Sequence, residues 1–462
     1  MNAAPPTDTY PQDLQALFAA QGAMALALRQ TSAAQRLAKI KALHQALMAH
    51  QDALIAAGAA DFGKPAEEVM LGDILPVVIE VKQALRQLKR WMKPKKVWPT
   101  RLTLGTSAYT QHQPKGRVLI VAPWNYPINL SLGPLVSALA AGNAVILKPS
   151  EMTPHASAVI VKIVRAVFAP DEVAVLEGGA ELVQGLLALP FDPLFFTGSP
   201  AVGKRVMAAA AQHLCSVTLE LGGKSPTIVD ETADLARAAQ HIMWAKFSNN
   251  GQTCIAPDHV YVHASVKPAF VQHCLRVLAA AYGANPANSP DLARMVNPRH
   301  FARVAALLED AVARGGKVLV GGSVDAAQRF IAPTLLDEVS DDAHIMQEEI
   351  FGPLLPLISY TALDAVIARI NAAPKPLALY LWSGDQQHIA QVMQHTSSGG
   401  ACINQAVVQF MHGHLPFGGV GNSGMGQAHG WHGFAAFSHE RAVLRQRWSP
   451  LWLLFPPYSG FK

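Results

Sequence analysis

Apolar residues recur at helical spacing through roughly the first ninety positions of this chain. Leu37, Ile40, Leu43 and Leu47 share one face, and Ser32 with Gln35 has the form of a capping box. The pattern predicts helices over 13–93, the last from about Ile74 to Met92, ending before Pro94. Between Val97 and Lys115, Thr, Leu and Tyr residues among turn signals predict a short β excursion. From Val118 the pattern changes. Short apolar runs, Val118 to Ala122, Ala144 to Leu147, Val173 to Leu176 and Pro193 to Phe196, alternate with helical stretches at Leu135 to Ala141, Ala156 to Phe168, Leu182 to Leu187 and Val202 to Ala211. Such runs suit strands covered on both faces, and their alternation with helices predicts a doubly wound parallel sheet.

After Glu220 a second series begins: Thr227 to Val229, a helix over 233–248, a strand from Asp258 to His263 and a helix over 266–281. It continues through Lys317 to Val320 and a helix around Ala362 to Asn371, and Phe437 to Arg447 reads as a final strand. No fixed-period repeat is visible. The fold class is therefore α/β with two doubly wound units, and the length admits two to three domains.

Composition narrows the partners. At 50% hydrophobic and 15% charged residues the chain buries large cores and is not a disordered polymer. Net charge is +5, and Lys89 to Lys96 is the one concentrated basic run; it reads as a solvated helix end and linker, with no nucleic-acid partner implied. Cys215, Cys254, Cys274 and Cys402 are scattered without a Cys-x-x-Cys pair, so neither a zinc motif nor a disulfide framework is expected. Met1 to Gln12 is polar and Pro-rich, lacking the apolar core of a secretion signal. Leu130 to Leu147 is interrupted by Ser131, Ser137 and Asn143 and reads as a buried helix entering a strand, while Trp448 to Phe455 is too short to cross a bilayer. A soluble, cytoplasmic protein without a membrane span is expected.

Candidate chemistry centres on Cys254, in the polar turn-like run Asn249-Asn250-Gly251-Gln252-Thr253, and on Glu220 between an apolar stretch and Gly222-Gly223. A thiol nucleophile with a separate carboxylate base splits a carbonyl reaction into covalent attack and water-driven release. An ordinary thiol near pKa ~8.5 would need a helix N-terminus or a cofactor charge to favour the thiolate. Asn125, in Pro123-Trp124-Asn125-Tyr126-Pro127, is a stiff corner after a strand and can donate its amide to an oxyanion. Lys148 and Glu151 end the next strand, where ribose hydroxyls are bound in open α/β sheets. Gly198, Ser199 and Gly203 stand where a strand opens into a helix, a place for a pyrophosphate. Arg205 occupies the magnesium-ligating position of a P-loop, which excludes that motif. Gly419-x-Gly421-x-x-Gly424 lacks a preceding strand and reads as a surface loop. Glu349 and Phe351, before the rigid Gly352-Pro353 turn, offer a carboxylate for sugar hydroxyls and an aromatic to pack on a heterocycle. His412, His414, His429, His432 and His439 crowd one region and read as loop or funnel lining, with no metal expected.

These motifs, in this order, resemble the aldehyde dehydrogenase superfamily over about residues 25–447. The Tyr of the Trp-Asn-Tyr-Pro corner, the short N-terminus and Val420-Gly421-Asn422-Ser423-Gly424-Met425-Gly426 resemble the class 3 branch; Arg90-Trp91-Met92 and Pro456-Pro457-Tyr458 are similar to coniferyl-aldehyde dehydrogenases. Gln427-Ala428-His429-Gly430-Trp431 departs from the usual basic-aromatic continuation. The resemblance implies a dinucleotide-binding domain (1–95 and 118–221), a catalytic domain (222–425), a β bridging and oligomerisation element (96–117 and 437–450), and a tail (451–462). It implies NAD, with NADP also accepted, as cofactor, a homodimer, and oxidation of aromatic aldehydes such as coniferyl aldehyde, or of medium- to long-chain aliphatic ones. Cys254 would be the nucleophile, Asn125 the oxyanion donor and Glu220 the base. Lys148 and Glu151 would meet the adenosine ribose, Gly198, Ser199 and Gly203 the pyrophosphate, and Glu349 and Phe351 the nicotinamide ribose side.

Overall fold

The computed structural model describes residues 14–448, with 455 and 456. The expectations for Met1 to Gln12 and for most of the tail lie outside the described residues. Ser32 caps the helix Ala33–Ala49 with the reciprocal capping box, and Ile40, Leu43 and Leu47 are fully buried against Leu75–Trp91 and Pro127–Ala141. Between Ala66–Glu68 and Leu75–Trp91 the helix widens into a π-turn, Val69–Ile74. Nothing in the periodicity announced it. The helix expected from Leu135 starts earlier, spanning Pro127–Ala141. Pro127 sits in its first turn, where no N–H is needed, and the helix tolerates Pro134 inside it while almost wholly buried.

Two large sheets carry the fold. One has six strands in the spatial order Gly424–Met425, Ser216–Leu221, Pro193–Gly198, Arg117–Val121, Ala144–Lys148, Val173–Val175, parallel except for Gly424–Met425. Its order reverses between Arg117–Val121 and Pro193–Gly198, so a crevice opens there at the carboxyl ends of the strands. The second has seven strands, Lys317–Val320, Thr334–Asp337, Leu354–Tyr360, His259–His263, Pro226–Val229, Ala378–Trp382 and Gly400–Ile403, parallel except for the first. A third, antiparallel sheet joins Lys95–Val97, Thr106–Pro114 and Ser438–Gln446. This is the β excursion and final strand read from the sequence.

The strand Ser216–Leu221 ends where the first sheet's carboxyl edge lies, and a short link later Pro226–Val229 opens the second sheet. Cys254 and Glu349 precede the strands His259–His263 and Leu354–Tyr360. The carboxyl edge of one sheet therefore faces the amino edge of the other, and the candidate residues collect between them. No helix among the described residues is long and apolar enough to cross a membrane.

Candidate active site

Cys254 and Glu220 line one cavity of about 1440 Å³ including its open mouth, whose apolar wall includes Leu130, Trp244, Val407, Phe410 and Phe417. Cys254 sits in a turn after a short 3-10 segment, Ser248–Gly251, in which Asn249 and Asn250 adopt positive φ. It is not at a helix N-terminus. Burial, together with the carboxyls of Glu349 and Glu220, pushes its thiol up to about 12. Glu220 is 5% exposed, and neither carboxyl oxygen has a hydrogen-bond partner; burial raises its pKa well above the carboxylate range. Its strand is flanked by the antiparallel Gly424–Met425, with Gly424 opposite Glu220. The Gly419-x-Gly421-x-x-Gly424 run, read from the sequence as a surface loop, is thus a tight turn whose end pairs with this strand.

Asn125 is buried, and its side-chain amide donates to the Gln252 carbonyl at 3.1 Å, tying the corner to the Cys254 loop. It lies outside the cavity lining itself. The corner is held from several directions. Asn249 Nδ2 and Lys64 Nζ donate to the Asn125 carbonyl at 2.8 and 3.3 Å, and the Tyr126 hydroxyl and Thr253 Oγ1 are 2.8 Å apart. Lys64 is fully buried, paired with Asp73 at 3.0 Å and lying against the Phe62 and Tyr126 rings. Asp73, in the π-turn, accepts from the Ile128 and Asn129 amides. Sequence reading missed this pair, because a lysine and an aspartate on separate helical segments carry no local signal of contact.

The other candidates gather at the sheet crevice. Lys148 is 3% exposed and pairs with Glu151 at the end of its strand. Ser199 caps the helix Pro200–Ala211, accepting from the Val202 amide, and Gly203 packs so close to Leu221 that a Cβ would come within 2.7 Å of it. The Glu349 carboxyl lies against Gly222, where a Cβ would overlap it; burial first, then Asp258, raises it to about 8. Phe351 is held at φ 47° with its ring edge-on to Trp124, centroids 5.3 Å apart. Lys224, paired with Asp258, also donates to the Ile345 and Glu348 carbonyls, and Arg303 donates to Glu348, Glu349 and Ile350. Those cations fix the loop that carries Glu349.

Of the crowded histidines, His429 reaches the cavity wall, stacked on Phe417, and burial lowers it to about 4. His414 instead faces Gln83. Elsewhere Asp230, Glu231 and His388 come close together, but both Asp230 oxygens are already engaged by Thr232 and His388.

The chain matches the aldehyde dehydrogenase family model over residues 6–443. It is 43% identical over 423 residues to a 4,4'-diaponeurosporen-aldehyde dehydrogenase of Staphylococcus aureus, covering 91% of this chain and 92% of that one. It is also 43% identical over 430 residues to aldehyde dehydrogenase family 3 member A2 of Pongo abelii, covering 92% and 88%. The latter likeness agrees with the class 3 resemblance. A substrate-bound structure of Staphylococcus aureus AldH superposes with a TM-score of 0.93 at 41% identity, covering 97% of each chain. PnpE in complex with nicotinamide adenine dinucleotide superposes with a TM-score of 0.83 at 26% identity, covering 93% and 89%.

Proposed function

Because this chain belongs to the aldehyde dehydrogenase family, we propose that it oxidises hydrophobic aldehydes to carboxylic acids with NAD, or NADP, as acceptor. The observation that carries this reading is the meeting of Cys254 and Glu220 in one apolar cavity at the junction of two sheets. The relative named for 4,4'-diaponeurosporen-aldehyde supports a hydrophobic substrate, and the apolar wall suits an aromatic aldehyde such as coniferyl aldehyde or a medium- to long-chain aliphatic one.

The crevice fits a dinucleotide. A capped helix N-terminus at Ser199 stands at the sheet's switch point, Gly203 allows that helix to close on the strand, and the Glu349 carboxyl lies against Gly222 beside the catalytic loop. Gly198 and Ser199 would border the pyrophosphate, Lys148 and Glu151 the adenosine ribose, and Glu349 and Phe351 the nicotinamide ribose. When bound, the cofactor supplies the hydride acceptor.

The chain's own residues then divide the work. Cys254 gives up its thiol proton to solvent as Sγ bonds to the aldehyde carbon, and the oxyanion is held by the Cys254 N–H and by the second hydrogen of the Asn125 amide, turned in from behind the cavity lining, the first being used on Gln252. Loss of hydride leaves Cys254 acylated. Glu220 takes a proton from water, which attacks the thioester and releases the acid; its unpartnered oxygens and high proton affinity suit that task. We assign the dinucleotide-binding unit to 1–95 and 118–221, the catalytic unit to 222–425 and the bridging element to 96–117 and 437–450. Exposed Trp98, Leu102, Leu104 and Leu444 on or beside that element support a homodimer formed through it, and four unpaired cysteines suit the cytoplasm.

The test is the absorbance of reduced nicotinamide across an aldehyde panel, with each cofactor. Cys254→Ser should abolish turnover, and Glu220→Gln should give one burst of reduced cofactor and then stall as thioester. Silence of the unmodified enzyme with both cofactors overturns the reading; normal turnover by Glu220→Gln overturns the base assignment.

A further inference from the structure

The cavity holds two further carboxyls that the chemistry above leaves unused. Glu68 and Glu80 both line it, although its walls are otherwise mostly apolar. They lie on one continuous helical run, separated by roughly 15–18 Å at ~1.5 Å rise per residue. Glu68 is at the reactive end, where its Oε2 accepts the Asn249 amide at 2.9 Å from the segment leading to Cys254. Glu80 lines another part of the same space. Its Oε2 accepts the Gly430 amide at 2.9 Å, beside His429 and Gly433, which line the cavity too.

Glu80 is 7% exposed, and that amide is its one hydrogen bond among the described residues. A carboxyl group offers two oxygens and about four lone-pair sites, so one backbone N–H leaves most of its capacity unused. Holding a carboxyl in an apolar enclosure costs free energy unless something hydrogen-bonds to it. Burial raises Glu80 to about 7, so both its protonated and ionised forms are populated at neutral pH. Either form can engage a hydroxyl group, as donor or as acceptor. A methyl terminus gives it nothing.

We propose that Glu80 is a specificity-determining residue that hydrogen-bonds a hydroxyl group at the far end of an elongated hydrophobic aldehyde whose carbonyl is at Cys254. The substrate class is thereby an ω-hydroxylated, long aldehyde rather than a plain alkanal. This rests on the aldehyde dehydrogenase reading above and adds a second recognition point to the same cavity.

The experiment compares kcat/KM for a long-chain ω-hydroxyalkanal and for the alkanal of equal chain length. The unmodified enzyme should favour the hydroxylated substrate by roughly ten- to a hundredfold, the range for a hydrogen bond to a carboxyl group. In Glu80→Met that ratio should collapse towards one. In Glu80→Gln, which keeps a polar group of the same shape, most of the preference should remain. An unmodified enzyme that turns over both aldehydes with equal kcat/KM overturns this inference and leaves the aldehyde dehydrogenase reading intact. So does a Glu80→Met enzyme that keeps the full preference. If Glu80→Met does not fold, the comparison in the unmodified enzyme still decides. Failure of both aldehydes with both cofactors would instead count against the underlying activity.

Discussion

The state of Cys254 before any ligand arrives is open to direct measurement. Burial and the nearby carboxyls of Glu349 and Glu220 push the thiol to about 12. At pH 8 about one chain in ten thousand would then carry a thiolate, against roughly one in four for an ordinary thiol at ~8.5. Each pH unit should raise that fraction tenfold until the pKa is reached. The assay is alkylation of cofactor-free enzyme by iodoacetamide, with peptide mass spectrometry separating Cys254 from Cys215, Cys274 and Cys402. The logarithm of the Cys254 rate should climb from about pH 7 to pH 10 without a plateau, with a slope near one except around pH 8, where the ionisation of Glu349 makes it shallower. Glu349→Gln adds a finer check. Because Glu349 itself is raised to about 8, its charge opposes the thiolate chiefly above that pH. The substitution should therefore speed alkylation at pH 9 to 10 and leave it nearly unchanged at pH 6. A plateau below pH 9, or the same acceleration at pH 6, would refute this electrostatic account.

Lys64→Met strands Asp73 in a site where both partners are 2% exposed or less, so unfolding in urea should show a loss of roughly 3–5 kcal/mol. The released Asn125 corner should lower kcat in the same variant. Gly222→Ala places a Cβ into the Glu349 carboxyl and should raise the KM for NAD, measured at saturating aldehyde, while Cys254 alkylation stays within a few-fold. Glu80 has a raised pKa in the folded protein, so its stabilising proton is fully in place below about pH 4.5 and is lost as pH rises through about 7. Glu80→Gln should accordingly stabilise the protein relative to wild type at pH 8 by up to about 3 kcal/mol more than at pH 5, read from urea midpoints. An equal difference at both pH values would contradict that assignment.

Much of the architecture was legible because it follows from local periodicity. The apolar runs at Val118, Ala144, Val173 and Pro193 became neighbouring strands of one sheet, and the capping box at Ser32 formed as read. The helix was read from Leu135, just after Pro134, because an internal proline disfavours a helix, whereas it begins at Pro127 and accommodates Pro134 within its buried length. The π-turn at Val69–Ile74 was invisible. Its register is stabilised by Asp73 reaching the amides of another helix, a contact that no window of sequence contains.

The sequence by itself determined the elements, the ordered motifs and hence the family, since strand and helix periods and short turn signatures are encoded within a few residues of one another. Only the tertiary structure decided what those residues experience. It joined Gly424–Met425 to the Glu220 strand, spent one Asn125 hydrogen on Gln252 and left the Glu220 oxygens without partners. It also turned Glu68 and Glu80, two unremarkable acids on a helical run, towards the cavity of Cys254. Burial, pairing and proton affinity depend on groups brought together from distant parts of the chain, and those distances are set by packing rather than by spacing along it.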